Sequence, residues 1–276
     1  MPLADRFDGL LVDLDGVVWI GREPVPGSPE ALRGLLEAGK RIVFVTNNPG
    51  RQPAAYAERL GELGVEVGEE QIVTAGMVAA RLAGKAALSA SEAGTAFVIG
   101  AEALKEMVAA TGARVVEGEE AWDADVVVVS GHRGFDYGEL LAAKRALDRG
   151  AALFATSHDP TMPYPGGELP GTGAVLAAVE TASGRRAGIA GKPERHLFEM
   201  ARAALACSFS GDSSEKEQAN LRVAMVGDRI SSDVAGGRAA GLETILVLSG
   251  TTSREEAAAA DPRPDFVLED LSGLLA

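Results

Sequence analysis

Asp13 and Asp15 stand one residue apart behind an apolar run, in "LLVDLDGVVWIG", residues 10–21. Carboxylates that close repel and raise each other's pKa, a cost that a purely structural segment has little reason to carry. A cation between them removes that cost. Three further stretches also put chemistry-bearing residues just after an apolar run: Thr46-Asn47-Asn48 after "RIVFV", Lys192 in "GIAGKPE", and Asp228 with Asp233 in "VAMVGDRISSD". Singly, each has a plain structural explanation: acids after a strand cap helices, "TNN" and "GD" suit turns, and a lysine is ordinarily solvated. Together they supply carboxylates, a hydroxyl with adjacent amides, and a lysine, which suits a divalent hard cation plus a phosphoryl group. Mg²⁺ prefers oxygen ligands and is usually held by one or two carboxylates together with substrate phosphate. Asp13 and Asp228 offer side-chain oxygens and Asp15 its backbone carbonyl. Thr46 and the Asn47 amide can hold phosphoryl oxygens, and Lys192 can neutralise charge spreading over them.

Competing devices are missing from the sequence. There is no G-x-x-x-x-G-K-[ST] loop, and "GTGAVL" at Gly171 lacks the third glycine of a dinucleotide fingerprint. Asp13-Leu14-Asp15-Gly16 begins like a calcium loop, but "VVWI" follows where acids should continue. Three histidines and one cysteine argue against zinc, and no G-x-S-x-G elbow marks a serine hydrolase.

The elements that must position these residues are legible as alternation. Apolar runs reading as strands are Leu10–Val12, Ile42–Val45, Ala96–Ile99, Val126–Val129, Leu153–Ala155, Val223–Val226 and Thr244–Leu248. Between the first two lies a helix with Ser28 as N-cap, Pro29 at the first helical position, Leu32, Leu35 and Leu36 on one face, and Gly39 as stop. Strand-helix-strand alternation predicts an α/β fold with a parallel sheet covered by helices, whose ligands bind beyond the carboxyl ends of the strands. Asp13 and Asp15 fall there. The middle of the chain repeats the alternation with few strand-end charges, so a second α/β domain inserted into the first is expected. The boundaries are set at 1–88 and 187–276 for the core and 89–186 for the insert. "GDSSEKEQAN", residues 211–220, is polar and without periodicity and is read as an exposed loop.

Composition narrows the function classes. At 276 residues, 46% hydrophobic and 24% charged, the chain can build a sizeable core. A net charge of −14 argues against nucleic-acid or anionic-membrane partners, though not against a small anionic substrate in a locally positive site. One cysteine, Cys207, allows no internal disulfide and fits a cytoplasmic location. No apolar run approaches the roughly 18 residues of a membrane span.

"DLDGV", "TNN", "GKP" and "GDRISSD" resemble, in order and spacing, the four motifs of haloacid dehalogenase-like phosphatases. More narrowly they are similar to the subclass with a large α/β cap between the second and third motifs, which includes phosphoglycolate, pyridoxal phosphate and p-nitrophenyl phosphatases and NagD-type nucleotidases. "ATSHDPTMPYPGG", "PGTGAVLAAVETASGR" and "AGLETILVLSG" extend the likeness over essentially the whole chain. The resemblance implies a Rossmann-like core with an inserted cap, and an Mg²⁺-dependent phosphatase working through an aspartyl-phosphate. Asp13 would be the nucleophile, and Asp15 the general acid and then the base. Thr46, Asn47 and Lys192 would bind the phosphoryl group. Asp13, the Asp15 carbonyl and Asp228 would ligate the metal, with Asp233 orienting a ligand or metal-bound water from behind them. Asn48 would face substrate or cap. The cap would select the leaving group through "SHDPTMP", residues 157–163, where His158 and Met162 could touch substrate and Ser157 stands where relatives often have Asn. Caps of this kind also offer a homodimer surface.

The expected substrate is a small phosphorylated metabolite such as glycerol 3-phosphate or phosphoglycolate. A nucleoside monophosphate is the alternative, weakened by only two Trp and three Tyr to stack a base. A non-catalytic phosphate-ligand sensor is disfavoured because nucleophile and acid both remain, and a phosphotransferase because nothing marks an acceptor site.

Overall fold

A computed structural model describes residues 1–164, 167–207 and 221–276. The polar stretch 211–220 lies outside the described residues. The chain divides into two compact units, one of residues 1–46, 53–73 and 192–276 and the other of residues 47–52 and 74–191.

The first unit is built on a six-stranded sheet in the order β15-β14-β13-β1-β4-β5. Its strands are β1 (Gly9–Asp13), β4 (Arg41–Thr46), β5 (Ile72–Thr74), β13 (Val223–Gly227), β14 (Glu243–Val247) and β15 (Phe266–Leu268). β1 lies between β13 and β4, parallel to both. All five residues of β1 and of β13 are buried, because helices cover both faces of the sheet. That is why these strands read as continuous apolar runs without a two-residue alternation. On one face Leu10, Val12, Phe44 and Val226 join Leu32 and Leu35 of α1 (Ser28–Glu37) in one core, together with Trp19 and Tyr56, the latter from α2 (Pro53–Glu62). A short antiparallel hairpin, β2 (Trp19–Ile20) with β3 (Glu23–Pro24), follows β1.

Ser28 does not act as the N-cap of α1. Gly27, at φ 82°, precedes the helix, and Ser28 is its buried first residue. The Ser28 hydroxyl instead donates to Val17 O at 2.8 Å, which gives a buried carbonyl in the loop after β1 a donor. The helix is thereby tied to that loop. Gly39, at φ 75°, ends α1 as expected.

The second unit carries a five-stranded sheet, order β12-β9-β8-β6-β7, formed by β6 (Thr95–Ile99), β7 (Arg114–Val115), β8 (Val126–Val129), β9 (Ala152–Ala155) and β12 (Gly188–Ile189). Every pairing in it is parallel. α5 (Tyr137–Asp148) and α6 (Thr172–Ser183) bury Ala143, Ala146, Leu176 and Val179 against Phe97, Ile99, Val127 and Val129. α3 (Ala75–Ala90) packs beside α4 (Glu102–Ala109) and over β6, β8 and β9. The main segment of this unit therefore runs from Thr74, before α3, whereas the expected boundary lies at residue 88. The reason is α3's small-residue face, where Gly84 admits the Thr111 side chain with no room for a Cβ. Residues 47–52 go with this unit through Gln52, whose Nε2 donates to Ala103 O at 3.1 Å and Glu106 Oε2 at 2.8 Å. The "SHDPTMP" stretch, residues 157–163, runs into a hairpin, β10 (Thr161–Tyr164) with β11 (Gly167–Pro170). Helices α7 (Arg195–Cys207), α8 (Ala235–Ala239) and α9 (Arg254–Ala259) belong to the first unit. No helix among the described residues is long and apolar enough to cross a membrane.

Candidate active site

Strand β1 ends in Asp13, whose side chain is almost wholly buried. Its Oδ1 accepts the Leu14 N–H at 2.8 Å, and its Oδ2 lies 2.8 Å from Lys192 Nζ. Lys192, only 2% exposed, also reaches Asp233 Oδ1 at 2.8 Å. Asp233 sits in the π-helical turn Ile230–Val234 after β13, and its Oδ2 accepts the Arg229 N–H at 3.0 Å. The structure thus joins four residues from three distant parts of the chain. Candidate ligand oxygens of Asp13, Asp228 and Asp233 all lie within 4.8 Å of one another.

Asp228 is held by the loop 248–252, none of whose residues is expected from sequence to take part in the site. Thr251 N–H donates to its Oδ2 at 2.7 Å, and Thr252 Oγ1 to its backbone O at 2.6 Å. Ser249 Oγ donates to Gly16 O at 2.8 Å, tying the same loop to the turn after Asp15. Gly16, at φ +86°, and Gly250 flank the Asp228 carboxylate so closely that a Cβ on either would collide with it. "LSGTT", residues 248–252, follows an apolar strand as the other site stretches do, so the strand-end rule could have found it.

The electrostatics follow from burial and excess negative charge. Burial is the largest influence on Asp13 and raises its pKa well above the usual carboxylate range. Lys192 opposes the rise, while Asp233 and Asp228 add to it. Burial and then Asp233 raise Asp228, partly offset by the Thr251 hydrogen bonds. Burial alone would lower Lys192, but Asp13 and Asp233 together raise it above its ordinary value, so it stays an ammonium. Asp228 Oδ1 is buried and has no hydrogen-bond donor among the described residues. Three carboxylates face one ammonium, and among the described residues no donor reaches Asp228 Oδ1. A divalent cation with oxygen ligands fits that set.

Asp15 lies just past β1, and its Oδ1 accepts the Trp19 indole N–H at 3.1 Å. Thr46, 1% exposed, ends β4 one residue beyond Val45, the partner of Asp13 in the parallel pairing. Asn47, Asn48, His158 and Met162 belong to the second unit. There Asn47 Nδ2 donates to Asp159 Oδ2 at 3.0 Å, and Asn48 Oδ1 accepts the Gly50 N–H at 3.0 Å. His158 and Met162 have exposed side chains. Asp159 lies within the "SHDPTMP" stretch but has no role of its own among the sequence expectations, and Trp19 is not among the expected site residues.

Residues 10–114 match the family model described as haloacid dehalogenase-like hydrolase, and residues 189–274 match a second, HAD-hydrolase-like model. The chain is 37% identical to chronophin of Mus musculus over 282 residues, covering 98% of this chain and 92% of that one. It is 38% identical to D-glycerol 3-phosphate phosphatase of Mycobacterium tuberculosis over 277 residues, covering 99% of this chain and 72% of that one. The crystal structure of glycerol phosphate phosphatase from Mycobacterium tuberculosis in complex with magnesium superposes with a TM-score of 0.84 at 35% identity, over 100% of this chain and 78% of that one. With its buried strand-end carboxylates, its site lysine and these relatives along its whole length, the chain belongs to the haloacid dehalogenase-like hydrolases.

Proposed function

We propose that the chain is a Mg²⁺-dependent phosphatase of small phosphomonoesters, with glycerol 3-phosphate as the leading substrate. The observation that carries the reading is the buried set Asp13–Lys192–Asp233 beside an Asp228 whose Oδ1 has no donor among the described residues. The named activity of the Mycobacterium tuberculosis relative supports the choice of substrate.

Asp13 Oδ2 attacks phosphorus in line with the ester oxygen, forming an aspartyl-phosphate as the P–O bond to the alcohol breaks. Lys192 holds Asp13 in place and offsets charge on the transferring oxygens, joined by Thr46 and the Asn47 amide. Asp15 protonates the departing alkoxide. As a carboxylate it then takes a proton from the water that releases phosphate. Asp13, the Asp15 carbonyl and Asp228 would hold the ion, and Asp233 fixes Lys192 and backs the ligands. When bound, Mg²⁺ supplies positive charge that draws the phosphate dianion toward the carboxylates. The second unit acts as the cap, its 157–163 loop selecting the leaving group through His158 and Met162. Asn48 joins this substrate-facing set.

Purified protein given Mg²⁺ is expected to release phosphate from glycerol 3-phosphate and p-nitrophenyl phosphate, and to stop when a chelator is added. No release from any ester of a metabolite panel would refute the reading. A pH dependence follows from the raised carboxylates. Asp13 and Asp228 hold protons more tightly than free carboxylates do, and the ion must displace those protons. Calorimetric titration with Mg²⁺ should therefore show weaker binding at about pH 5.5 than at about pH 7.5, with protons released on binding. Affinity independent of pH would contradict it.

A further inference from the structure

Trp19 remains outside the roles assigned so far. It is fully buried in the first unit's core, and a buried indole needs an acceptor for its N–H. The acceptor it takes is Asp15 Oδ1, at 3.1 Å. Main-chain bonds hold the two residues in that relation. Gly16 N–H donates to Trp19 O at 2.7 Å, and the Val18 and Trp19 N–H groups donate to Leu14 O at 2.9 and 3.2 Å. The indole is fixed in turn by Arg59 of α2. Its guanidinium carbon lies 3.9 Å from the ring centroid, a cation–π distance, and its NH2 donates to Gly21 O at 2.7 Å. A chain of contacts therefore runs from α2 through the β2–β3 hairpin to one oxygen of Asp15.

We infer that Trp19, braced by Arg59, is a positioning residue for the Asp15 carboxyl group. A carboxyl that delivers a proton must present one oxygen to the leaving group at hydrogen-bond distance, and free rotation about its last torsion would spoil that geometry. The indole N–H holds Oδ1, and delivery of the proton is assigned to Oδ2. In the first step that proton moves from Oδ2 to the ester oxygen while the P–O bond breaks and the bond from Asp13 to phosphorus forms. In the second, Asp15 recovers a proton from the attacking water. Without the indole the carboxyl is still present but is less often aimed.

This inference rests on the proposed role of Asp15, and the test separates the two. A p-nitrophenolate leaves without protonation, whereas the alkoxide of glycerol does not, and kcat/KM reports on phosphoryl transfer to Asp13 alone. Trp19→Phe and Asp15→Asn are compared with wild type on glycerol 3-phosphate and p-nitrophenyl phosphate, with thermal melts of each variant. Asp15→Asn should lower the alkyl-to-aryl ratio of kcat/KM by about 10²-fold or more, and Trp19→Phe by about tenfold. Arg59→Met, a change at a partly exposed side chain that spares the core, should shift the ratio the same way by a smaller factor, and Arg59→Lys should restore part of it. Equal loss on both esters in Trp19→Phe and Arg59→Met, or no loss on either, overturns the inference while leaving Asp15 as the acid. If Asp15→Asn itself shows no selective loss on the alkyl ester, both readings fall.

Discussion

Asp13→Asn is expected to remove phosphate release while leaving a folded protein. The change is nearly isosteric, and Asn Oδ1 can still accept the Leu14 N–H that Asp13 accepts at 2.8 Å. What disappears is the anionic oxygen that attacks phosphorus, and an amide cannot replace it. Turnover should fall by roughly four orders of magnitude or more, as when a nucleophile is deleted from a site whose parts act as a unit. Stability is set by two opposing effects. Losing a carboxylate relieves repulsion from Asp228 and Asp233, both of which raise the Asp13 pKa. Placing an amide beside Lys192 costs a charge-assisted bond, but Lys192 keeps Asp233 at 2.8 Å. The melting temperature should stay within a few degrees of wild type. A variant that retains a tenth of wild-type turnover would show that another group is the nucleophile.

Lys192→Met carries the largest expected loss of stability. Lys192 is the ammonium between two buried carboxylates, each 2.8 Å from Nζ. Removing one member of such a set strands the remaining charges in a medium that solvates them poorly, which costs about 3–5 kcal/mol. Asp13 can escape part of that cost by taking up a proton, and this gives the deficit a pH dependence. Without Lys192 the folded-state pKa of Asp13 rises further above its unfolded value. A carboxyl so raised gives a stabilisation that is fully present below its unfolded pKa and is lost as pH rises from there through the folded-state pKa. The variant's deficit, read by denaturant titration, should therefore shrink toward acid pH and grow toward neutrality. Mg²⁺ should restore part of it by supplying positive charge to the same carboxylates. Activity should fall at least about 10²–10³-fold, the scale of losing one donor to a developing anion. Stability equal to wild type at neutral pH would mean that the buried ion pairs do not form.

Much of this centre could be read along the chain because its residues obey one geometric rule. Strands buried on both faces appear as unbroken apolar runs, and the parallel sheet brings their carboxyl ends to one edge. Asp13, Thr46 and Asp228 were visible for that reason. Lys192 and Asp233 stood out by the same placement after apolar runs, but the burial of the lysine between two acids has no local signature. Ser28 misled because a serine before a proline has the form of an N-cap, while tertiary burial gave its hydroxyl a carbonyl at Val17 instead. The division before α3 escaped notice because its alanine and glycine face fits either domain by composition, and only the approach of Thr111 to Gly84 shows which neighbour it serves. Trp19 and Asp159 were hidden because each acts through one long-range or side-chain-specific hydrogen bond that no periodicity encodes.

The covalent step can be observed directly. Wild-type protein mixed with Mg²⁺ and glycerol 3-phosphate, quenched during turnover and reduced with borohydride, converts any aspartyl-phosphate to homoserine at the residue that carried it. Peptide mass spectrometry should find homoserine at position 13, and only when both ester and Mg²⁺ are present. Phosphate release with position 13 unmodified throughout, or with the modification at another residue, would contradict a mechanism centred on Asp13.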